Sequence, residues 1–212
     1  MQLTLPLQDH NIYHADDFIV STSNQDAYNT ITSWPKKWGV MPYDKALLLY
    51  GDHSSGKTHL AMVWQKLANA EILSPNATIS LSSKPAFIIE DIENWPQEEL
   101  LHYFNLAHEN RKYLLLTTSI LKSDFSIKDL NSRINAILRL EIRQLDDELL
   151  KMFLFKYFSI NSLIVSKRVQ NFLLKHCPRR FDLLINLLEK INQKALVYKK
   201  AVTINLIKEV LS

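Results

Sequence analysis

Apolar and polar positions along this chain fall into two kinds of block. Unbroken apolar runs, Ala46-Leu47-Leu48-Leu49-Tyr50, Ala86-Phe87-Ile88-Ile89 and Tyr113-Leu114-Leu115-Leu116, are bounded by polar residues. Runs of this length read as strands buried on both faces, as in a parallel sheet. Helix-like stretches follow the first two, with Leu60–Ala68 after one and Leu100, Leu101, Phe104 and Leu106 within 96–110 after the other. The run 137–142 ends in alternating apolar and charged residues, which predicts a strand with one exposed face at a sheet edge. Ala77–Leu81 predicts a further short strand, and Asp26–Trp34 an early helix capped by Ser23 or Asn24 and stopped by 35–39.

From Asp146 onward the pattern is helical throughout. Asp146 is a candidate cap for a first helix, Ser166 for a second reaching Cys177, and Thr203 for a last one ending near Leu211. Pro178 fits the first turn of a third, with Leu183, Leu184, Leu187, Leu188 and Ile191 at helical spacing. The expectation is an α/β fold followed by a small all-α domain. A tail over 1–10, an α/β domain over 11–144 and a helical domain over 145–212 divide the chain.

The first strand opens directly into Gly51-Asp52-His53-Ser54-Ser55-Gly56-Lys57-Thr58, and a helix follows. Strand, glycine loop and helix form the context of a phosphate-binding P-loop. Backbone N–H groups of the loop and helix start converge on a phosphate, Lys57 supplies a positive charge, and the Thr58 hydroxyl is placed to ligate Mg²⁺. Gly51, Ser54, Ser55, Gly56, Lys57, Thr58 and His59 are the candidate phosphate contacts. Two of the chain's three glycines stand in this loop.

Glu90-Asp91 follow the second apolar run. Carboxylates at the C-terminal edge of a parallel strand are placed to hold Mg²⁺, together with Thr58, and to orient an attacking water; a plain strand-to-helix junction is the bland alternative. Thr117-Thr118-Ser119 end the third run, and there the Ser119 hydroxyl either senses a phosphate or its water, or simply bonds backbone. Arg133, before the next strand, reads as a surface ion pair or as an arginine finger acting on a neighbour's phosphate. Arg179 and Arg180 open the third helix of the helical region, where a cation does not complement the helix dipole, a hint that one faces an anion. Leu3, Leu5 and Leu7 alternate after Gln2, which suits either a tail or a short linear motif that fills pockets on a partner. His10 and His14 lie in an irregular segment and give little support for a metal.

Composition narrows the classes. The chain has 212 residues, 47% hydrophobic and 22% charged, with net charge +3, and the isoelectric point is near 8.8. That balance is mildly basic and is weak support for nucleic-acid binding. The single cysteine, Cys177, excludes an internal disulfide and a cysteine-cluster metal site, which suits a reducing cytoplasm. No apolar run reaches a membrane span of about 18 residues, and no signal peptide is evident.

Taken together, the P-loop, the acidic strand end, the hydroxyl-ended strand, the Arg before the next strand and the helical lid with its Arg resemble an AAA+ ATPase, and more narrowly the DnaA family of bacterial replication initiators. Phe18-Ile19-Val20 followed by Ser23-Asn24 resembles the family's segment beside the adenine, which implies that Phe18 and Val20 contact the base. Ser132-Arg133 is similar to the family's Ser-Arg box, whose arginine reaches the ATP of an adjacent subunit, and Arg179 matches the lid arginine called sensor II. Gln2-Leu3-Thr4-Leu5-Pro6-Leu7 looks like the sliding-clamp-binding hexapeptide of the family's short Hda branch, and the family's DNA-binding helical domain is not seen after the lid.

That resemblance implies a cytoplasmic regulator holding ATP or ADP with Mg²⁺. It implies partnership with the initiator DnaA and the DNA polymerase III β sliding clamp, through Gln2, Leu3, Leu5 and Leu7 for the clamp. A homodimer or AAA+ oligomer fits; sequence-specific DNA binding and membrane association do not. Arg133 would be the active group, stimulating hydrolysis of initiator-bound ATP. Two departures bear on the chain's own catalysis: Glu90 stands where relatives usually carry Asp, and Ile120-Leu121 follow Ser119 where they carry Asp-Arg. Both suggest a nucleotide held more than hydrolysed. The alternative is a stand-alone ATPase that serves as a helicase or clamp loader factor.

Overall fold

Side chains on successive residues of a strand point to opposite faces, so a strand with cores on both faces is apolar at every position. This is the arrangement in the computed structural model, which describes residues 18–36, 38–76, 83–120, 125–198 and 201–211. The clamp-type residues Gln2, Leu3, Leu5 and Leu7, the histidines His10 and His14, and the strand expected over 77–81 lie outside the described residues.

Five parallel strands, β1 (Ala46–Tyr50), β2 (Glu71–Ile72), β3 (Ala86–Ile89), β4 (Tyr113–Thr118) and β5 (Leu138–Glu141), form one sheet in the order β2-β3-β4-β1-β5. β1 pairs with β4 on one side and β5 on the other. Leu47 and Leu49 of β1, Ala86 and Ile88 of β3, and Leu115 of β4 face one core, shared with α1 (Gln25–Thr32) and α2 (Lys57–Ala68). Ala46, Leu48, Phe87, Ile89, Leu114 and Leu116 face the other, shared with α3 (Gln97–Glu109) and α4 (Lys128–Ala136). In the first core Trp64 is fully buried, stacked on Trp38 at 4.5 Å between ring centroids. β5 is an edge strand as its alternation predicts, with Leu138 and Leu140 packed inward and Arg139 and Glu141 exposed. The two-residue β2 is too short to leave a sequence signature.

Helices α5 (Asp147–Ile160), α6 (Lys167–His176), α7 (Phe181–Tyr198) and α8 (Ile204–Leu211) build a separate core from Leu150, Leu154, Leu173, Leu184, Leu188, Ile191 and Ile207. The expected caps form: Asp146 accepts from Leu149 N–H, Ser166 from Val169 N–H and Thr203 from Leu206 N–H. Two local expectations are corrected. Asn24 stands at the α1 N-cap, yet its buried amide bonds backward to Ser21 N–H and the Ile19 carbonyl and caps no helix N–H. α7 begins at Phe181, so Pro178 precedes the helix and does not sit in its first turn.

Residues 18–24 tie the two cores together. Ile19 packs on the helical core, Phe18 on the sheet core. Ser21 and Thr22 hydroxyls donate to Asp146 at 2.9 and 3.3 Å, while Arg143 N–H donates to the Ser23 carbonyl. Partial burial alone would raise the Asp146 carboxyl. The Leu149 N–H and the hydroxyls of Ser21, Thr22 and Ser23 outweigh it and hold the group below its ordinary value of 3.8.

Asp146→Ala removes a helix cap and the Ser21 anchor, and is expected to cost about 1–2 kcal/mol in a urea melt at pH 7. Because the folded carboxyl titrates below its unfolded value, that contribution is fully present above the ordinary carboxylate range. It is lost as pH falls through the lowered folded value, so the gap between wild type and variant narrows only in acid. Gly51 leaves β1 with φ +155°, and a Cβ there would lie 2.1 Å from the Ile142 carbonyl oxygen. Gly51→Ala must move main chain and is expected to cost about 3 kcal/mol in the same melt.

Candidate functional site

The C-terminal ends of β1, β3 and β4 meet at one edge of the sheet, where ligands bind in open α/β folds. β1 feeds the glycine loop, and the Gly51 N–H donates to the Thr118 carbonyl at the end of β4. Gly56 takes φ +105° at the start of α2, with the Phe18 ring 3.0 Å from where a Cβ would sit. Phe18 also meets His59 edge-on at 5.2 Å and stacks on Tyr28. Glycine is thus required twice, once for the close approach to Ile142 and once to seat Phe18 on the loop.

Lys57, at 6% exposure, points back under the loop and donates to the Gly51 and Asp52 carbonyls, both at 2.8 Å. Burial pushes its ammonium below the ordinary lysine range, while the carboxylates of Asp91, Glu93, Asp52 and Glu90 pull the other way. Ser54 has φ 61°, and the Ser55 Oγ is buried without a hydrogen-bond partner. Such a loop offers backbone donors, a cation and an unpaired hydroxyl to an anion.

Across from it, Glu90 ends β3. Burial raises the Glu90 carboxyl and the Asp91 charge adds to this, against a hydrogen bond from Thr58 and the Lys57 charge. Its Oε1 is buried with no partner. An orphaned carboxylate oxygen beside a Thr hydroxyl fits a Mg²⁺ ion, which takes one or two protein ligands and leaves the rest to phosphate and water. Asp91 is exposed and left-handed, with φ 50°, and its N–H donates to Thr117 Oγ1. Among the described residues no group of three or more His, Cys, Asp and Glu side chains is arranged to hold a metal alone.

The expected residues Gly51, Ser54, Ser55, Gly56, Lys57, Thr58, His59, Phe18, Glu90, Asp91 and Ser119 come together around this edge; Val20 is half-buried two residues beyond Phe18. The Ser119 hydroxyl lies 3.2 Å from His53 Nδ1 of the loop. Two arginines do not join them. Arg179 lies in the lid, where it pairs with Asp147 at 2.6 Å and donates to the Leu174 carbonyl. Its neighbour Arg180 pairs with Asp182, and the field of Asp52 in the loop also acts on it. Arg133 is bidentate to Asp129, both bonds at 3.1 Å, and lies over the Tyr43 and Phe104 rings.

Sequence reasoning passed over Glu93 and Gln144. Glu93 accepts the Ser119 N–H at 2.8 Å, and Gln144 donates to Asp52 at 2.6 Å from the segment leading into the lid. A third acid after Glu90-Asp91 was the one visible signal; Gln144 left none. No described helix is long and apolar enough to cross a membrane.

Comparison with known proteins agrees with this geometry. Residues 159–211 match the family described as Hda, lid domain. The chain is 25% identical to the chromosomal replication initiator protein DnaA of Aliarcobacter butzleri over 94% of its own length and 52% of that protein, so it spans about half of that relative. AMPPCP-bound DnaA from Aquifex aeolicus superposes with TM-score 0.71 at 20% identity, covering 87% of this chain and 66% of that one. Domain III of Thermotoga maritima DnaA gives TM-score 0.71 at 18% identity, covering 94% and 95%. The Thermotoga maritima RuvB branch migration motor gives TM-score 0.62 at 17% identity, covering 79% and 61%. The parallel α/β sheet and its phosphate loop thus share the fold of the DnaA structures, residues 159–211 match the Hda lid domain, and a DnaA initiator is a sequence relative of the chain.

Proposed function

We propose that the chain is a regulator of chromosomal replication initiation. It binds ATP or ADP with Mg²⁺ in the phosphate loop, docks on the DNA polymerase III β sliding clamp through Gln2, Leu3, Leu5 and Leu7, and stimulates hydrolysis of ATP held by the initiator DnaA. Gly51, Ser54, Ser55, Gly56, Lys57, Thr58 and His59 cradle the phosphates. Phe18 and Val20 lie against the base, Thr58, Glu90 and Asp91 hold Mg²⁺, and Ser119 faces the terminal phosphate. Arg179 belongs to the lid's response to nucleotide, for which it would have to leave Asp147.

One observation carries the trans role of Arg133. Its guanidinium lies on Tyr43, which precedes β1, while the chain's own phosphate loop follows β1. Five strand residues at about 3.3 Å each put roughly 16 Å between those ends. An arginine so placed serves a phosphate on another molecule or none. Asp129 and the two rings hold it in a fixed orientation, which supports a presented group more than a free surface charge.

The loop and helix-start residues would bind and orient the nucleotide's phosphates. Lys57, which donates to the Gly51 and Asp52 carbonyls, would hold a phosphate with its charge, and the unpartnered Glu90 Oε1 would be a ligand for the metal.

Arg133→Ala is expected to keep nucleotide binding and clamp binding while lowering stimulated initiator ATP hydrolysis by about a thousandfold, the scale of a removed arginine finger. The assay compares phosphate release by the initiator with and without this protein and clamp-loaded DNA, and normal stimulation by the variant would remove Arg133 from the mechanism. Leu5→Ala with Leu7→Ala is expected to abolish capture by the sliding clamp in a pull-down. Phosphate release by this protein alone, at a rate matching the stimulated one, would favour the stand-alone ATPase instead.

A further inference from the structure

Three strand ends meet through a short chain of contacts. Glu93 lies in the 3-10 turn Ile92–Asn94 after β3, and its Oε1 accepts the backbone N–H of Ser119, just past the end of β4, at 2.8 Å. The Ser119 hydroxyl in turn lies 3.2 Å from Nδ1 of His53, in the loop after β1. The other oxygen of Glu93, Oε2, is buried with no hydrogen-bond partner. The charge of Glu93 also acts on the buried Lys57 ammonium, and the bond to the Ser119 N–H is the hydrogen bond that fixes its position relative to the end of β4.

We infer that Glu93 is a positioning residue for terminal-phosphate recognition, fixing the end of β4 so that the Ser119 hydroxyl meets His53 across the phosphate loop. The inference rests on the nucleotide reading above and adds to it the residue that sets triphosphate against diphosphate binding. The backbone N–H groups of the loop and the start of α2 serve phosphates that both nucleotides carry. The end of β4 faces the loop at the Ser119–His53 contact, and a terminal phosphate would meet that contact. Glu93 itself does not reach the phosphate. It acts through the Ser119 backbone, a bond that needs an acceptor and no charge, so glutamine satisfies it and alanine does not.

The experiment is calorimetric titration of the full chain with ADP and with AMPPCP, both with Mg²⁺, for wild type, Glu93→Gln, Glu93→Ala and Ser119→Ala. Glu93→Ala is expected to weaken AMPPCP about fivefold, the scale of one hydrogen bond, with ADP affinity within twofold of wild type. Glu93→Gln is expected to keep the wild-type ratio, and Ser119→Ala to reproduce the Glu93→Ala ratio. Equal weakening of both nucleotides, an unchanged ratio in Glu93→Ala or Ser119→Ala, or a Glu93→Gln that behaves like Glu93→Ala overturns the inference. If Glu93→Ala does not fold, the other two variants decide by the same ratios. Wild type that binds neither nucleotide overturns the nucleotide reading and this inference together; wild type that binds both with an unaltered variant ratio overturns this inference alone.

Discussion

A lysine ammonium buried at the end of a parallel sheet is the constraint around which this molecule is arranged. Lys57 is costly to bury, and two loop carbonyls and four carboxylates offset part of that cost. Those carbonyls exist in the right place because Gly51 passes within van der Waals contact of the Ile142 carbonyl, an approach no Cβ would permit. The four acids come from the loop itself and from the segment after β3, so the sheet's strand order, with β1 beside β4 and β4 beside β3, is what gathers them. Charge, glycine geometry and topology are one arrangement seen at three scales.

The sheet also separates two chemistries by its length. Phosphate loop, acids and hydroxyls occupy its C-terminal edge. Arg133, held by Asp129 and two aromatic rings, sits toward the N-terminal edge, beside the residues that lead into β1 and one turn before β5. The phosphate-type loop thus lies at one end of the sheet and a guanidinium fixed by Asp129 toward the other. The segment 18–24 joins this body to the lid, with Phe18 on the loop, Ile19 in the lid core and Ser21 on the Asp146 cap.

Much of this was legible in the sequence because its causes are local. β1, β3 and the first four positions of β4 are apolar, as burial on two faces demands, and β5 alternates because it has one covered face. Asp146, Ser166 and Thr203 each stand directly before a helical stripe, and each caps. The phosphate loop is a contiguous octapeptide. What could not be read depends on partners far away in the chain. Glu93 matters through Ser119, 26 residues on, and Gln144 through Asp52, 92 residues back. Asn24 looked like a cap because residue type and position suited one, but burial turned its amide toward Ser21 and Ile19. Residue type and position left Arg179 and Arg180 facing an unspecified anion; in the structure each pairs with a carboxylate of the helical domain, Asp147 and Asp182.

The claim on which the rest stands is that the phosphate loop holds an adenine nucleotide through Lys57. Titrating fluorescently labelled ADP with Mg²⁺ into the full chain and into Lys57→Ala tests it directly. Saturable binding at one site per chain, lost in a Lys57→Ala protein that retains its helical circular dichroism, is the predicted result. No saturable binding by wild type, or equal binding by a folded Lys57→Ala protein, would contradict it.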